Sequence, residues 1–186
     1  QRIVDWPARM KEVADFVGLD QAGLEIIEST RDLVLSKGEE ITADVYDHFL
    51  TFPETRRFFE DENGEVDDVR LERRKHSLLR FLTGSIGFKI DEDYPIRLLA
   101  TGIVHSHPPS HRAHMGSVPS RFMVGSMSFL QTVLADLFQD ELKDPREAHA
   151  ASVAWNKLLM VQLDILQAGY INETPTEASE RTPESE

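Results

Sequence analysis

Residues Asp93–Leu130, DYPIRLLATGIVHSHPPSHRAHMGSVPSRFMVGSMSFL, decide how this chain reads. They spell a helix, a polar loop rich in His and Pro, and a second helix. Leu98, Thr101, Gly102 and His105 fall at i, i+3, i+4 and i+7, so they share one helical face. The stripe ends in a histidine, with a glycine one turn before it. A small Gly102 would let a flat, bulky group lie close to the backbone beside the imidazole. The run HSHPPSHRAH holds His105, His107, His111 and His114. Its two prolines and its lack of carboxylates fit no metal-ligand spacing, so the three later histidines read as solvated loop.

The chain around this stretch has 186 residues, enough for one domain with a substantial core. A hydrophobic content of 40% is ordinary for a soluble protein, and no apolar run is long enough for a membrane span. Net charge is −13, which argues against nucleic acid and against an anionic membrane surface as partners. Cysteine is absent, which excludes disulfides and Cys-based metal sites and agrees with a cytoplasmic location. The chain opens without Met, as a piece of a longer protein would.

Periodicity predicts helices throughout. A short one spans 7–17, with Pro7 in its first turn and Gly18 after its end. Asp20 caps a second over 20–37. A third covers 39–51, and residues 53–59 make one or two turns after Pro53. A fourth spans 66–83, with Leu71, Lys75, Leu78 and Leu82 on one face. The helix ending in His105 covers 91–106. A sixth starts at Pro119 and reaches about residue 139, and the last starts at Pro145. These two long helices are apolar over more than one contact stripe, as at a helix-bundle dimer interface. No strand pattern persists, and no repeat is apparent. The domain is expected over 1–170, followed by an acidic tail or linker over 171–186, rich in Pro, Glu, Ser and Thr and expected to be disordered.

The chemistry concentrates on two residues. A neutral imidazole aimed from a helix into an apolar slot is a good ligand for haem iron, so His105 reads as an axial ligand. The plainer alternative is a core-edge histidine bonded to a carbonyl. Tyr46 stands beside Val45 and Phe49 on an otherwise apolar helix, and its hydroxyl needs a partner there. It could donate to a bound diatomic ligand, or simply to a backbone carbonyl. His76 lies well away from the Leu71/Leu78/Leu82 face and reads as surface, as do His48 and His149. Residues 70–75, RLERRK, read as the solvent face of their helix. Motifs for nucleotide binding, serine hydrolysis or zinc proteolysis are missing.

Three strings resemble the sensor-globin family, the globin-coupled sensors and the related protoglobins. EEITADVYDHFLTFPETRRFF resembles the family's second helix and the turn after it, whose tyrosine faces the distal side of haem. IDEDYPIRLLATGIVH resembles the proximal helix, which ends in the iron-binding histidine. SVPSRFMVGSMSFL resembles the opening of the following helix. The resemblance covers about 7–170. Val45 stands where protoglobins carry a tryptophan, and Phe122 with Met123 replaces an aromatic pair. The loop 106–118 is nearer to the protoglobin length than to that of most globin-coupled sensors.

The resemblance implies an all-α, globin-like fold with an extra N-terminal helix and a shortened early segment. It implies His105 as proximal ligand of haem b and Tyr46 as distal donor. An ungapped count back from His105 puts Leu78 over the distal face, or Ser77 if the register slips by one. Val45, Phe49, Leu82, Gly102 and Met123 complete the expected haem-binding set. The implied function is binding and sensing of O2, with NO and CO also binding. The signal would pass through a homodimer formed by 117–140 and 143–170 to a C-terminal output domain. Two other classes stay open: a haem enzyme such as an NO dioxygenase or peroxidase, and a haem-free globin-shaped interaction module.

Overall fold

The computed structural model describes residues 4–87, 89–91 and 93–171. The expected tail lies outside them, apart from Ile171. Among the described residues every long element is an α-helix and no strand forms, as the periodicity requires. The chain folds as α1 (Trp6–Val17), α2 (Gln21–Ser29), α3 (Arg31–Ser36), α4 (Gly38–Leu50), α5 (Pro53–Arg56), α6 (Asp68–Ser85), α7 (Asp93–Ser106), α8 (Ser120–Glu141) and α9 (Pro145–Ile171). Short 3-10 turns follow α5 at Arg57–Phe59 and precede α8 at Ser110–Met115. No helix is long and apolar enough to cross a membrane among the described residues.

Local signals set most boundaries. The Asp5 carboxylate caps α1 by accepting from Ala8 N at 3.0 Å, and Gly18 ends the helix at φ 70°. Asp20 caps α2 through Gly23 N at 2.9 Å, and Asp67 caps α6 through Arg70 N at 2.9 Å. The expected single helix over 20–37 is broken. Thr30 interrupts it, because its buried hydroxyl donates to Ile27 O at 2.7 Å and accepts from Trp155 Nε1 at 2.9 Å. A β-branched residue whose hydroxyl bonds backward competes with the helical ladder. Here a tertiary partner on α9 fixes the outcome.

The last helix, α9, is the axis of the molecule. It packs against α1, α2, α7 and α8. Trp155, Leu158, Leu159, Val161 and Ile165 are fully buried along it. The width of its apolar surface, which suggested a dimer interface, is therefore used within one chain. Polar ties hold neighbours to it. Arg9 grips Asp164 with two bonds of 2.8 Å, joining α1 to α9. Gln162 Nε2 donates to Ser85 Oγ at 2.8 Å and to Tyr94 Oη at 2.7 Å, binding the end of α6 and the start of α7 to the same helix.

The crossing of α7 and α9 corrects the reading of Gly102. A Cβ at Gly102 would stand 2.1 Å from Leu166 O, and one at Gly169 would stand 2.7 Å from Ile103 N. The two backbones touch. Gly102 makes room for α9, not for a ligand. Ser106 Oγ donates to Gly169 O at 3.1 Å and fastens the same crossing.

Alanine at Gly102 should cost about 2 kcal/mol or more, because the obstacle is backbone and has nowhere to move. Alanine at Gly125 should instead stabilise by about 0.5–1 kcal/mol. Gly125 sits within α8 with open space where the methyl would lie. Urea midpoints of the two variants test this pair. A Gly102→Ala midpoint equal to the parent's would refute the close crossing.

Candidate functional site

His105 sits on the last turn of α7, three residues past Gly102, so the α7–α9 crossing sets its position. Its Nδ1 lies 2.7 Å from Thr101 O. A carbonyl only accepts, so Nδ1 carries the proton and Nε2 keeps a lone pair. A ring nitrogen bonded to its own backbone leaves the other free for a metal, the usual arrangement of a metal-binding histidine. Burial lowers the imidazole pKa. The Thr101 bond opposes this, and the positive charges of Arg74 and Arg112 lower the pKa further. All of this favours the neutral, coordinating form near pH 7.

The loop after α7 closes back on it. Val118 N donates to His105 O at 2.8 Å, and Ser117 Oγ donates to Ser106 O at 2.5 Å. Gly116 turns the chain at φ 71°, and Arg57 Nη1 holds Met115 O at 3.0 Å. The fold of this loop carries Arg112 toward α6. His107, His111 and His114 gather into no metal cluster, and no group of three or more His, Asp or Glu suited to a metal exists among the described residues.

A cleft of about 150 Å³, partly open to solvent, lies between these elements. That is below the roughly 300–1,000 Å³ of small-molecule and cofactor sites, so a group as large as haem enters only if the walls part. His105 and Val104 of α7 line one side, with Tyr46 and Phe49 of α4 and Phe58 and Phe59 of the turn after α5. Phe122, Met123 and Ser126 of α8 close another side, and Arg74 and Arg112 stand at its edge. Tyr46 meets Phe49 and Phe59 edge to face, with ring centroids at 5.3 and 5.5 Å. Its hydroxyl donates to Arg74 O at 2.9 Å. Burial pushes the phenol pKa up to about 12, with the Arg74 charge working against this.

The structure thus brings together His105, Tyr46, Phe49 and Met123 of the expected set. It does not bring the others to the cleft. Val45 and Leu82 are buried in the core, and Leu78 packs against that core from α6. The reason is that α6 packs on α4, so its apolar face meets α4. Ser77 bonds back to Arg73 O at 2.9 Å and borders a separate groove. Residues 70–75 are not wholly a solvent face, since Arg74 lines the cleft. His48 is also no plain surface residue. It stacks on Phe129 of α8 with centroids 3.9 Å apart and planes at 9°. The sequence reading missed Phe58, Phe59, Val104 and Phe122 as lining residues. The Phe58–Phe59 step after Pro53 was a usable signal for two of them. Arg74 and Arg112 had none.

The chemistry of this donor set fits a haem. One side chain offers a bare imidazole nitrogen, the walls are largely apolar and aromatic, and positive charge stands at one edge.

Replacing Tyr46 by Phe should cost about 1 kcal/mol through loss of the bond to Arg74 O. The folded phenol titrates above its ordinary value of 10.0, so its protonated form carries the stability. That contribution is whole below pH 10 and is lost as pH rises toward about 12. Denaturant melts of parent and variant across alkaline pH should therefore converge. Curves that stay parallel would refute the buried-phenol assignment.

Known proteins bear on this geometry in three ways. A search of the curated proteins finds no match. Among solved structures, the chain is similar to the globin domain of the Geobacter sulfurreducens globin-coupled sensor. The TM-score is 0.70 and the identity 22%, covering 87% of this chain and 97% of that one. It is also similar to the globin domain of E. coli DosC in its ferric form, with TM-score 0.63 and 13% identity over 87% and 99% of the two chains. At these identities the likeness shows the globin fold. The Protoglobin family model matches residues 7–176, nearly the whole chain, and this protein is therefore a member of the protoglobin family.

Proposed function

We propose that this chain is a cytoplasmic haem b globin that binds and senses a diatomic gas, with O2 as the physiological ligand and NO and CO as further ligands. The observation that carries this reading is His105. It is a neutral imidazole with Nδ1 committed to Thr101 O and Nε2 bare, on the wall of an apolar cleft. Family membership and the globin-coupled sensor neighbours support it.

Haem bound in the cleft would supply the iron that takes the gas. His105 would hold that iron through Nε2. Phe49, Phe58, Val104 and Met123 would exclude water from the cleft. Tyr46 holds a proton that has one present acceptor, Arg74 O. A hydroxyl has a single hydrogen to give, so a polar ligand entering the cleft competes with that carbonyl for it. The carbonyl sits in the middle of α6, where the helix also offers it a backbone N–H. Release of the phenol is therefore inexpensive, and a swing of Tyr46 alters the α4–α6 contact. Such a swing would make Tyr46 a two-state element of the kind a sensor needs.

Passage of the signal would run along α7 to α9 through the Gly102–Gly169 crossing, and from the end of α9 toward an output domain. A homodimer through 117–140 and 143–170 would use what α8 and α9 leave outside. Val124 and Val153 remain 48% and 38% exposed there.

Purified protein supplied with haemin should show a Soret band, and its absence would overturn the reading. His105→Ala should abolish the normal ferrous-CO spectrum, and an unchanged spectrum would remove His105 as ligand. Tyr46→Phe should speed O2 release by about fivefold, the equivalent of roughly 1 kcal/mol for one hydrogen bond. An unchanged release rate would take Tyr46 out of ligand binding.

A further inference from the structure

Beside the cleft lies a groove whose charge is unlike the rest of this acidic chain. Arg70, Arg73, Arg74 and Arg80 of α6 line it, facing Arg112 and two histidines of the loop before α8. Asp67 is the sole carboxylate on its lining. Arg70 is paired with Asp67 at 3.5 Å, and Arg80 Nη2 donates to Ser77 Oγ at 3.1 Å. The guanidinium groups of Arg74 and Arg112 make no ion pair or hydrogen bond among the described residues. These two line both the groove and the apolar cleft that holds His105. They mark the boundary where apolar wall gives way to positive charge.

We propose that Arg74 and Arg112 are the seat for the two carboxylates of the tetrapyrrole, and so fix the edge by which it enters the cleft. The inference rests on the haem reading and deepens it. Haem is an apolar disc with both of its acidic groups on one edge. A cleft that is aromatic within and carries two uncompensated guanidiniums at one margin matches that distribution. Guanidinium and carboxylate match as bidentate partners, and each bond is charge-assisted. Without an anion the arrangement is unfavourable. Burial depresses the Arg74 pKa and the Arg112 charge lowers it further; Tyr46 opposes this, and Arg70 adds the least lowering. A pair of carboxylates would relieve the crowding. A free phosphate shares the charge but has no use for the apolar wall that the same two side chains border.

The placement has a structural consequence. Arg74 gives its carbonyl to Tyr46 and would give its guanidinium to the tetrapyrrole. One residue would thus report the seating of the cofactor to the distal phenol.

The test compares haemin with haemin dimethyl ester, which keeps the disc and removes both charges. Wild-type protein is titrated with each, followed by the Soret band, and release to a haem scavenger is timed at low and high salt. Wild type should hold haemin about tenfold or more tightly than the ester, tenfold being 1.4 kcal/mol. Its haemin should also leave faster as salt rises. Arg74→Gln with Arg112→Gln should abolish most of the preference and the salt effect. Arg74→Lys with Arg112→Lys should restore part of both, and Lys143→Gln should change neither. Equal binding of haemin and ester by wild type overturns the proposal while leaving the haem reading intact. This comparison needs no variant, so a misfolded arginine mutant does not weaken it. Calorimetry of the haem-free protein with inorganic phosphate adds a further arm. Phosphate binding together with no preference for haemin over the ester would assign the seat to a free anion and also overturns the proposal. A missing Soret band with both compounds refutes the haem reading itself.

Discussion

Two helices that touch backbone to backbone govern this structure. At Gly102 and Gly169 the axes of α7 and α9 approach until no methyl group fits between them. Ser106 Oγ then reaches the Gly169 carbonyl from one side. Close packing of this kind has discrete solutions and does not deform continuously. His105 is one turn away on α7, so this crossing sets its place in the cleft. The α9 helix is in turn held by the Arg9–Asp164 pair, by Trp155 on Thr30, and by Gln162 on Ser85 and Tyr94. The imidazole is thereby referenced to nearly the whole core.

The fold was legible where signals are local. Pro7, Gly18 and Asp20 act on the backbone within four residues of themselves, and each does in the structure what its type favours. The break at Thr30 was not legible, because the indole that fixes it is 125 residues away. Gly102 shows the other limit. A glycine on an apolar face announces a close approach, but the sequence does not say of what. A ligand and a second helix need the same vacancy, and here the helix holds it. The breadth of α9 is ambiguous for a similar reason. An apolar surface on several sides can meet a second copy or several helices of its own chain, and periodicity is identical in both cases.

In the site, the residues that sequence found are the short-reach ones. His105 and Tyr46 have stiff side chains on well-determined helices, so face and register nearly locate them. Arg74 and Arg112 could not be found this way. A long cationic side chain on a helix rim can lie along the surface or turn inward, and the string RLERRK favours the first. What turns Arg74 toward the cleft is the neighbourhood built by α4 and by the loop folded back over His105. Leu78 shows the opposite limit. The wheel correctly placed it with Leu71 and Leu82, and the pairing of α6 with α4 then decided what that face meets.

The cleft itself is held at a cost. Among the described residues it keeps an imidazole nitrogen without a partner, two guanidiniums without counter-ions, and a valine, Val104, that is 42% exposed. None of these helps the chain fold alone. Each would be satisfied by a different part of one ligand: a metal for the nitrogen, anionic groups for the guanidiniums, and a flat apolar surface for the valine. Local choices in a folded protein mostly agree with its stability, and the places where several disagree together mark function. At this cleft the disagreements share one geometry. The elements around it are fixed by contacts elsewhere, in the α7–α9 crossing and the α4–α6 packing, so the site can keep these unsatisfied groups without moving to relieve them.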